Sequence, residues 1–316
     1  MVMEHIDVLI IGGGPAGISA TIWCKRLGLD HLLIEEHESL GGQLSMIRNK
    51  IIDYPGFIEK DGEELRQHFL NHLQALQCHV KTGMKVLAID AEKRTVTVQQ
   101  GPAAKTIHFQ FLIAAAGSSP KRLGVPGEEE MLARGETYTA SRDSHLFRDK
   151  TVAVVGGGDR AFEGAMMLAD SGAQVYLINR SNHFKARSQY VEQAVVKENI
   201  TILNETRVLD IEGDQKVEAV NLVKNTGEVR HLPVSAVFIR IGAKPNTSLF
   251  PQSVNIDEEG YIQTDAAGKT SCDCIYAAGD NCSGSLFSSI AGAAGQGATA
   301  AKHIAFLLTG KRQYAY

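Results

Sequence analysis

The sequence predicts an α/β protein built as two three-layer ββα units, one inserted in the other. Three observations predict it. A glycine-rich turn joins an apolar strand to a helix near the N-terminus, and a second such turn begins 144 residues later. Strand-like segments then follow both turns in a similar series, the mark of a duplicated unit. A chain of 316 residues is long enough to bury two cores.

The first unit opens on Ile6-Asp-Val-Leu-Ile-Ile-Gly12, an apolar run suited to a parallel strand buried on both faces. It runs into Gly12-Gly13-Gly14-Pro15-Ala16-Gly17 and a helical segment from Ile18 to Trp23. This is Gly-x-Gly-x-x-Gly with a strand before it and a helix after it, the context the motif requires. Gly12, Gly14 and Gly17 permit a tight turn and close backbone approach, so a pyrophosphate can rest on amide N–H groups at the positive helix end. The next strand, His31–Ile34, ends on Glu35, 23 residues after Gly12, where a ribose-binding carboxylate belongs. The unit is read as a Rossmann-like dinucleotide-binding domain.

The second turn follows the apolar Thr151–Val155 and reads Gly156-Gly157-Gly158-Asp159-Arg160-Ala161, with a helix through Met166, Met167 and Leu168. Ala161 stands for the third glycine and is small enough for helix–strand packing. Here the second strand, Gln174–Ile178, ends on Asn179-Arg180 rather than on an acid. Arg180 lies 24 residues past Gly156, and Lys185 and Arg187 follow. An acid would repel a 2′-phosphate, whereas arginine grips it with charge-assisted hydrogen bonds. NADPH is therefore expected over NADH; the alternative is that these cations form a solvated surface face.

Between the turns lie strand-like Val86–Asp90, Thr95–Val98 and Phe109–Ala114, the last running through Ala115 and Ala116 to Gly117. Ser118–Gly127, punctuated by Pro120 and Pro126, reads as a linker. After the second turn come Thr201–Leu203, Val217–Val223 and Ala236–Ile239, reaching Gly242 and Pro245.

Composition narrows the function classes. A net charge of −4 offers no global attraction to nucleic acid or acidic membranes. Glu4 and Asp7 stand where a secretion signal would be basic, and no apolar run approaches the roughly 20 residues of a membrane helix. A cytoplasmic protein is expected. The five cysteines, Cys24, Cys78, Cys272, Cys274 and Cys282, are odd in number and include no Cys-x-x-Cys. Neither a disulfide framework nor a zinc site is expected. His68 and His72 share a helix face, but no third ligand accompanies them, so no metal site is assigned.

The motifs Gly12–Gly17, Gly41-Gly42-Gln43-Leu44, Asp53-Tyr-Pro-Gly56, Gly156–Asp159 and Tyr276-Ala-Ala-Gly279-Asp280 together resemble the low-molecular-weight thioredoxin reductases over essentially the whole chain. The resemblance implies FAD in residues 1–118 joined to 245–316, and NADPH in 119–244, with NADH as an alternative. It implies that Gly42, Gln43, Leu44 and Asp53 line the FAD, with Val86, Ala116, Gly117 and Gly279 adding to the site. Asp280 would hydrogen-bond the ribityl chain. Ser289 and Ile290 would open a helix facing the flavin pyrimidine edge, where a helix N-terminus stabilises negative charge. On the nucleotide side, Gly156, Gly158, Asp159, Arg160, Ala161, Arg180 and Lys185 would contact NADPH. A homodimer is implied as well.

The departures are informative. Where that family carries its redox Cys-x-x-Cys, this chain reads Thr139-Ala140-Ser141-Arg142. Thiol–disulfide exchange needs a thiolate, which neither end of that tetrapeptide supplies, so no catalytic side chain is assigned. The phosphate motif is also partial, with Asn179 and Ser181 replacing histidine and arginine. The chain then looks like the thioredoxin-reductase-type ferredoxin–NADP reductases, which pass electrons between NADPH and a small acidic protein such as ferredoxin or flavodoxin. Their longer C-terminal tail is replaced here by a short end carrying Tyr314 and Tyr316, which would stack on a flavin or fray. Two alternatives remain: a disulfide oxidoreductase using Cys272, Cys274 or Cys282, and a nucleotide-binding redox sensor.

Overall fold

A computed structural model describes residues 5–47, 50–284 and 286–310. Tyr314 and Tyr316 lie outside the described residues. The chain divides into two compact units, one of residues 1–119 with 244–316 and one of Pro120–Ala243.

The first segment of unit 1 supplies β1 (His5–Ile11), α1 (Pro15–Arg26), β2 (His31–Ile34), α2 (Gly62–Ala75), β3 (Val80–Lys81), β4 (Lys85–Asp90), β5 (Thr95–Gln100) and β6 (Ala103–Ala114). The chain leaves through β7 (Ser118–Pro120). Unit 2 then contains α3 (Glu128–Ala133), α4 (Ala140–Asp143), β8 (Thr151–Val155), α5 (Asp159–Asp170), β9 (Gln174–Ile178) and α6 (Ser188–Val195). It continues with β10 (Ile200–Leu203), β11 (Thr206–Glu212), β12 (Ala219–Lys224), β13 (Val229–Pro233) and β14 (Val237–Ile239). The return strand β15 (Ala243–Pro245) pairs with β7, and β16 (Ile275–Ala277) and α7 (Ile290–Thr309) complete unit 1.

In unit 1 the strands β16, β6, β1, β2 and β3 are parallel, while β5 adds antiparallel to β6 and β4 adds antiparallel to β5. Strand alternation sends Leu9, Ile11, Leu32 and Ile34 into one cluster with Val86, Val96 and Val98 of the hairpin. Val8, Ile10 and Leu33 point the other way, against Ala16 and Ala20 of α1 and Ala300, Ala301 and Ile304 of α7. Both faces are thus covered, which explains why Val8–Ile11 of β1 and Leu32–Ile34 of β2 read as unbroken apolar runs rather than alternating ones. Each large side chain enclosed this way contributes about 1.5–3 kcal/mol of burial.

Unit 2 repeats the plan. Its parallel sheet runs β10–β9–β8–β14. Val152, Val154, Val175 and Leu177 pack on α5 through Phe162 and Leu168. Ala153, Val155 and Val237 pack on the antiparallel β11–β12–β13 layer through Ile211, Val220 and Leu222. These are the two three-layer ββα units expected from the sequence. The stretch read as a linker is extended only at its start: Leu123 and Gly124 donate their amides to the buried Glu128 carboxylate at 3.0 and 2.7 Å. A carboxylate held by main chain at that point ties the second half of the stretch into unit 2. Among the described residues no helix is long and apolar enough to cross a membrane.

Candidate functional sites in the two units

Parallel strands deliver their C-terminal ends to one edge of a sheet, and in unit 1 these ends are Ile11, Ile34, Ala114 and Ala277. The residues just beyond them are Gly12–Gly17, Glu35, Ala115–Gly117 and Ala278–Asp280. Gly12 turns with φ +106°, and a side-chain carbon there would lie 2.3 Å from the Ala115 carbonyl oxygen, so only glycine fits. No side chain caps α1, which starts on Pro15, so its first amides are left for an external acceptor. Glu35 Oε2 accepts from Gly13 N at 2.6 Å and its Oε1 from His37 N at 2.9 Å, fixing the carboxylate beside the glycine turn.

A second group gathers around Asp280. Its Oδ2 accepts from Gln43 Nε2 at 3.0 Å and Ser118 Oγ at 3.3 Å, and its Oδ1 accepts from Ser288 Oγ. Gln43 Nε2 also reaches Ser118 Oγ at 3.2 Å. The loop carrying Gln43 is joined to the glycine turn by Gly41 N donating to the Gly13 carbonyl at 2.7 Å. Leu44 is buried beside it. Gly279 N donates to Gln296 Oε1 of α7 at 2.7 Å, and Ser289 caps α7 by accepting from Gly292 N, so Ile290 is its first helical residue.

The expected positions fall into place unevenly. Gly12, Gly14, Pro15, Ala16, Gly17, Glu35, Gly42, Gln43, Leu44, Ala116, Gly117, Gly279, Asp280, Ser289 and Ile290 belong to this edge or to loops bonded to it. Asp53 is exposed in the loop after Ile51, and no hydrogen bond among the described residues joins it to the Asp280 group. The Val86 side chain is enclosed in the core. Three supporting residues were not anticipated: Ser118, Gln296 and Asn281. Gln296 had one signal, a lone amide in an Ala- and Gly-rich helix. Asn281 is wholly buried and donates to the Ala114 carbonyl at 3.0 Å, while its Oδ1 has no partner among the described residues.

This edge fits a flavin dinucleotide. An uncapped helix end suits its phosphates and the fixed Glu35 a ribose. Nothing lies within 4 Å of a carbon added at Gly14 or Gly117, leaving open space along the turn.

Unit 2 offers the corresponding edge with other chemistry. Gly156 turns with φ +150°, its added carbon 2.2 Å from the Arg240 carbonyl oxygen, and α5 is likewise uncapped by a side chain. Asn179, 23 residues after Gly156, takes the place that Glu35 holds in unit 1: a carbon added to Gly157 would lie 2.5 Å from its Oδ1. Its Nδ2 donates to the carbonyls of Ser181 and His183 at 2.8 and 3.0 Å. Arg180, Lys185 and Arg160 are exposed and Ala161 is buried. Arg187 is not part of a free cationic group. Its Nε and N donate to Asp159 Oδ2 and Oδ1, both at 2.8 Å, and its guanidinium lies over the Tyr190 ring. Asp159 is therefore engaged in fastening this loop to α5.

Thr139 is the residue before the short helix α4, and Arg142 lies in its last turn. Arg142 grips Asp143 through Nε and Nη2 at 2.7 and 2.8 Å, and Asp143 Oδ2 also accepts from Thr139 N at 2.7 Å. Burial pushes the Asp143 carboxyl up, but the Arg142 and Thr139 bonds outweigh it and hold it below the usual range. Thr139 Oγ1 is buried without a partner among the described residues.

The cysteines divide by place. Cys282 donates to the Gly279 carbonyl at 3.3 Å, and burial pushes its thiol up to about 11. Cys24 is buried in α1 with its thiol pushed up to about 12. Thiols so raised carry almost no thiolate at neutral pH. Cys272 and Cys274 precede β16, so a whole strand separates them from Asp280. His68 pairs with Glu59 at 3.0 Å, and no metal-binding group occurs among the described residues.

Comparison with known proteins agrees with this geometry. The chain is similar to a thioredoxin reductase of Mycolicibacterium smegmatis, 39% identical over 278 residues, covering 87% of this chain and 88% of the relative. A thioredoxin reductase of Bacillus subtilis is 35% identical over 300 residues, covering 94% and 93%. The crystal structure of Lactococcus lactis thioredoxin reductase superposes with a TM-score of 0.82 at 30% identity, covering 97% of this chain and all of the other. The family model described as pyridine nucleotide-disulphide oxidoreductase matches residues 6–297, and the chain belongs to that family.

Proposed function

We propose that this chain is an FAD-dependent NAD(P)H oxidoreductase that works without an active-site dithiol and exchanges electrons with an external protein such as ferredoxin or flavodoxin. The observation that carries the reading is the short helix Ala140–Asp143 with Thr139 before it, where Arg142 is bonded to Asp143 and Thr139 carries a hydroxyl in place of a thiol. A bound flavin takes a hydride equivalent and releases electrons one at a time. The chain's part is to bind and orient. The first amides of α1 receive the pyrophosphate, Glu35 the adenosine ribose and Asp280 the ribityl chain. The N-terminus of α7, capped by Ser289, favours negative charge beside it. In unit 2 the Gly156 turn takes the nicotinamide nucleotide, with exposed Arg180 and Lys185 available to a 2′-phosphate. The reading includes a homodimer, as the resemblance to thioredoxin reductases implies, and the cytoplasmic setting expected from the sequence composition.

The purified protein is expected to be yellow and to bleach when NADPH is added anaerobically. It should reduce ferricyanide or a ferredoxin and show no thioredoxin-dependent reduction of a disulfide dye. Thioredoxin turnover that survives replacement of Cys272, Cys274 and Cys282 would overturn the dithiol-free reading. Bleaching by reduced ferredoxin but by neither NADPH nor NADH would assign the Gly156 turn to another ligand. A second reading, disulfide reduction through Cys272 and Cys274, draws on the 3.7 Å between their sulfurs. It predicts disulfide turnover that either Cys→Ser change abolishes.

A further inference from the structure

Cys272, Asp273 and Cys274 form the turn that leads into β16, closed by the Ile275 amide donating to the Cys272 carbonyl at 3.0 Å. Thr270 braces it from inside: its buried hydroxyl accepts from Cys272 N at 3.1 Å and donates to the Ile275 carbonyl at 2.8 Å. The turn brings the two sulfurs to 3.7 Å. Cys272 is half-buried, while Cys274 is buried, its Sγ directed at the Ala91 carbonyl in the turn between β4 and β5. The pair lies before β16 and the Gly279–Asp280 group after it, so the two sit at opposite ends of one strand.

We propose that Cys272 and Cys274 are a peroxide-oxidisable thiol pair that closes to a disulfide away from the flavin edge. The oxidant, by class, is a hydroperoxide. Cys272 sulfur attacks the O–O bond, keeps one oxygen as sulfenic acid and releases the alcohol. Cys274 sulfur then attacks Cys272 sulfur: the S–S bond forms, the S–O bond breaks, and the hydroxyl leaves with the Cys274 proton as water. Two thiols lose two electrons and two hydrogens, and one peroxide becomes alcohol and water.

The order of events follows from the surroundings. Cys272 is the more accessible sulfur. Burial, with the neighbouring Cys272 sulfur adding to it, pushes the Cys274 thiol up to about 11, so it is the poorer first nucleophile. Arg94 stands close enough that its charge favours the Cys274 thiolate for the second step. The sulfurs must close by about 1.7 Å to reach bonding length. Apart from the hydroperoxide, the chemistry does not depend on which acceptor the flavin serves.

The test treats the full-length holoprotein with one equivalent of tert-butyl hydroperoxide, blocks free thiols by alkylation and maps the peptides by mass spectrometry. The peptide carrying both cysteines should be two hydrogens lighter and resist alkylation. Dithiothreitol should restore both sites, and NADPH alone should not. Cys274→Ser should leave Cys272 as a dimedone-reactive sulfenic acid, and Cys272→Ser should leave Cys274 alkylatable. Wild-type protein in which both thiols stay alkylatable, or in which Cys272 proceeds to sulfinic acid with Cys274 free, would overturn the proposal. Reopening by NADPH alone would overturn the separation from the flavin edge.

Discussion

Unit 1 and unit 2 place the same backbone device at the same point and dress it differently. In each, the first glycine turns under a neighbouring carbonyl, Ala115 O at 2.3 Å from the added carbon in one and Arg240 O at 2.2 Å in the other. In each, a helix without a side-chain cap follows. The residue 23 positions on is Glu35 in unit 1 and Asn179 in unit 2. Glu35 accepts the Gly13 amide and remains a charged acceptor for hydroxyl groups. Asn179 spends its amide donors on Ser181 and His183, shaping the loop that presents Arg180 and Lys185. Under the proposed reading, the backbone geometry sets where a dinucleotide would rest, and one side chain sets the charge its ribose would meet.

The comparison can be broken most forcefully at the glycines. Gly12→Ala and Gly156→Ala each add a carbon to a positive-φ residue against a backbone oxygen, and each should cost about 3 kcal/mol or more locally. Their readouts should differ: Gly12→Ala yields protein that loses its flavin colour, whereas Gly156→Ala stays yellow but no longer bleaches with NADPH. If both lose colour, the two edges are not independent.

A smaller effect is expected at Asp143, which belongs to unit 2 alone. Asp143→Asn should destabilise the protein by about 1–2 kcal/mol in denaturant unfolding at neutral pH, because Arg142 and the Thr139 amide lose a charged acceptor. The sign of the pH dependence follows from the depressed carboxyl of Asp143. Its contribution is present above the ordinary aspartate range, near about 4, and is lost as pH falls through the lower folded value. The gap between wild type and variant should therefore shrink in acid. A gap that stays constant with pH would mean that the charge of Asp143 is not what holds α4.

The finest test exchanges the two units' chemistry. Asn179→Asp should lower the preference for NADPH over NADH about tenfold, near 1.4 kcal/mol, by setting an anion where the 2′-phosphate would lie. Steady-state kcat/KM with both nucleotides measures it, and an unchanged ratio would remove Asn179 from nucleotide choice.

Much of this was legible in the chain. The apolar runs of β1, β2, β8 and β9 and the glycines after them gave both sheets their centres, because buried parallel strands and positive-φ turns leave few residue choices. Strands β11 and β13 were not anticipated: β11 alternates within a charged stretch, and β13 is short and polar, stabilised by its pairing with β12. Arg187 looked like one more phosphate ligand until Asp159 proved to hold it.

By itself the sequence determined the two dinucleotide folds and their nesting, since strand, turn and helix are set by residues adjacent in the chain. The absence of any Cys-x-x-Cys was equally plain from it. Tertiary structure alone decided which polar groups meet. Gln43 and Asp280 are 237 residues apart in sequence, and Cys272 and Cys274, though neighbours, become a pair only through the turn that precedes β16. Hydrogen bonds depend on position and orientation to within fractions of an ångström, and only the packed sheets and helices set those.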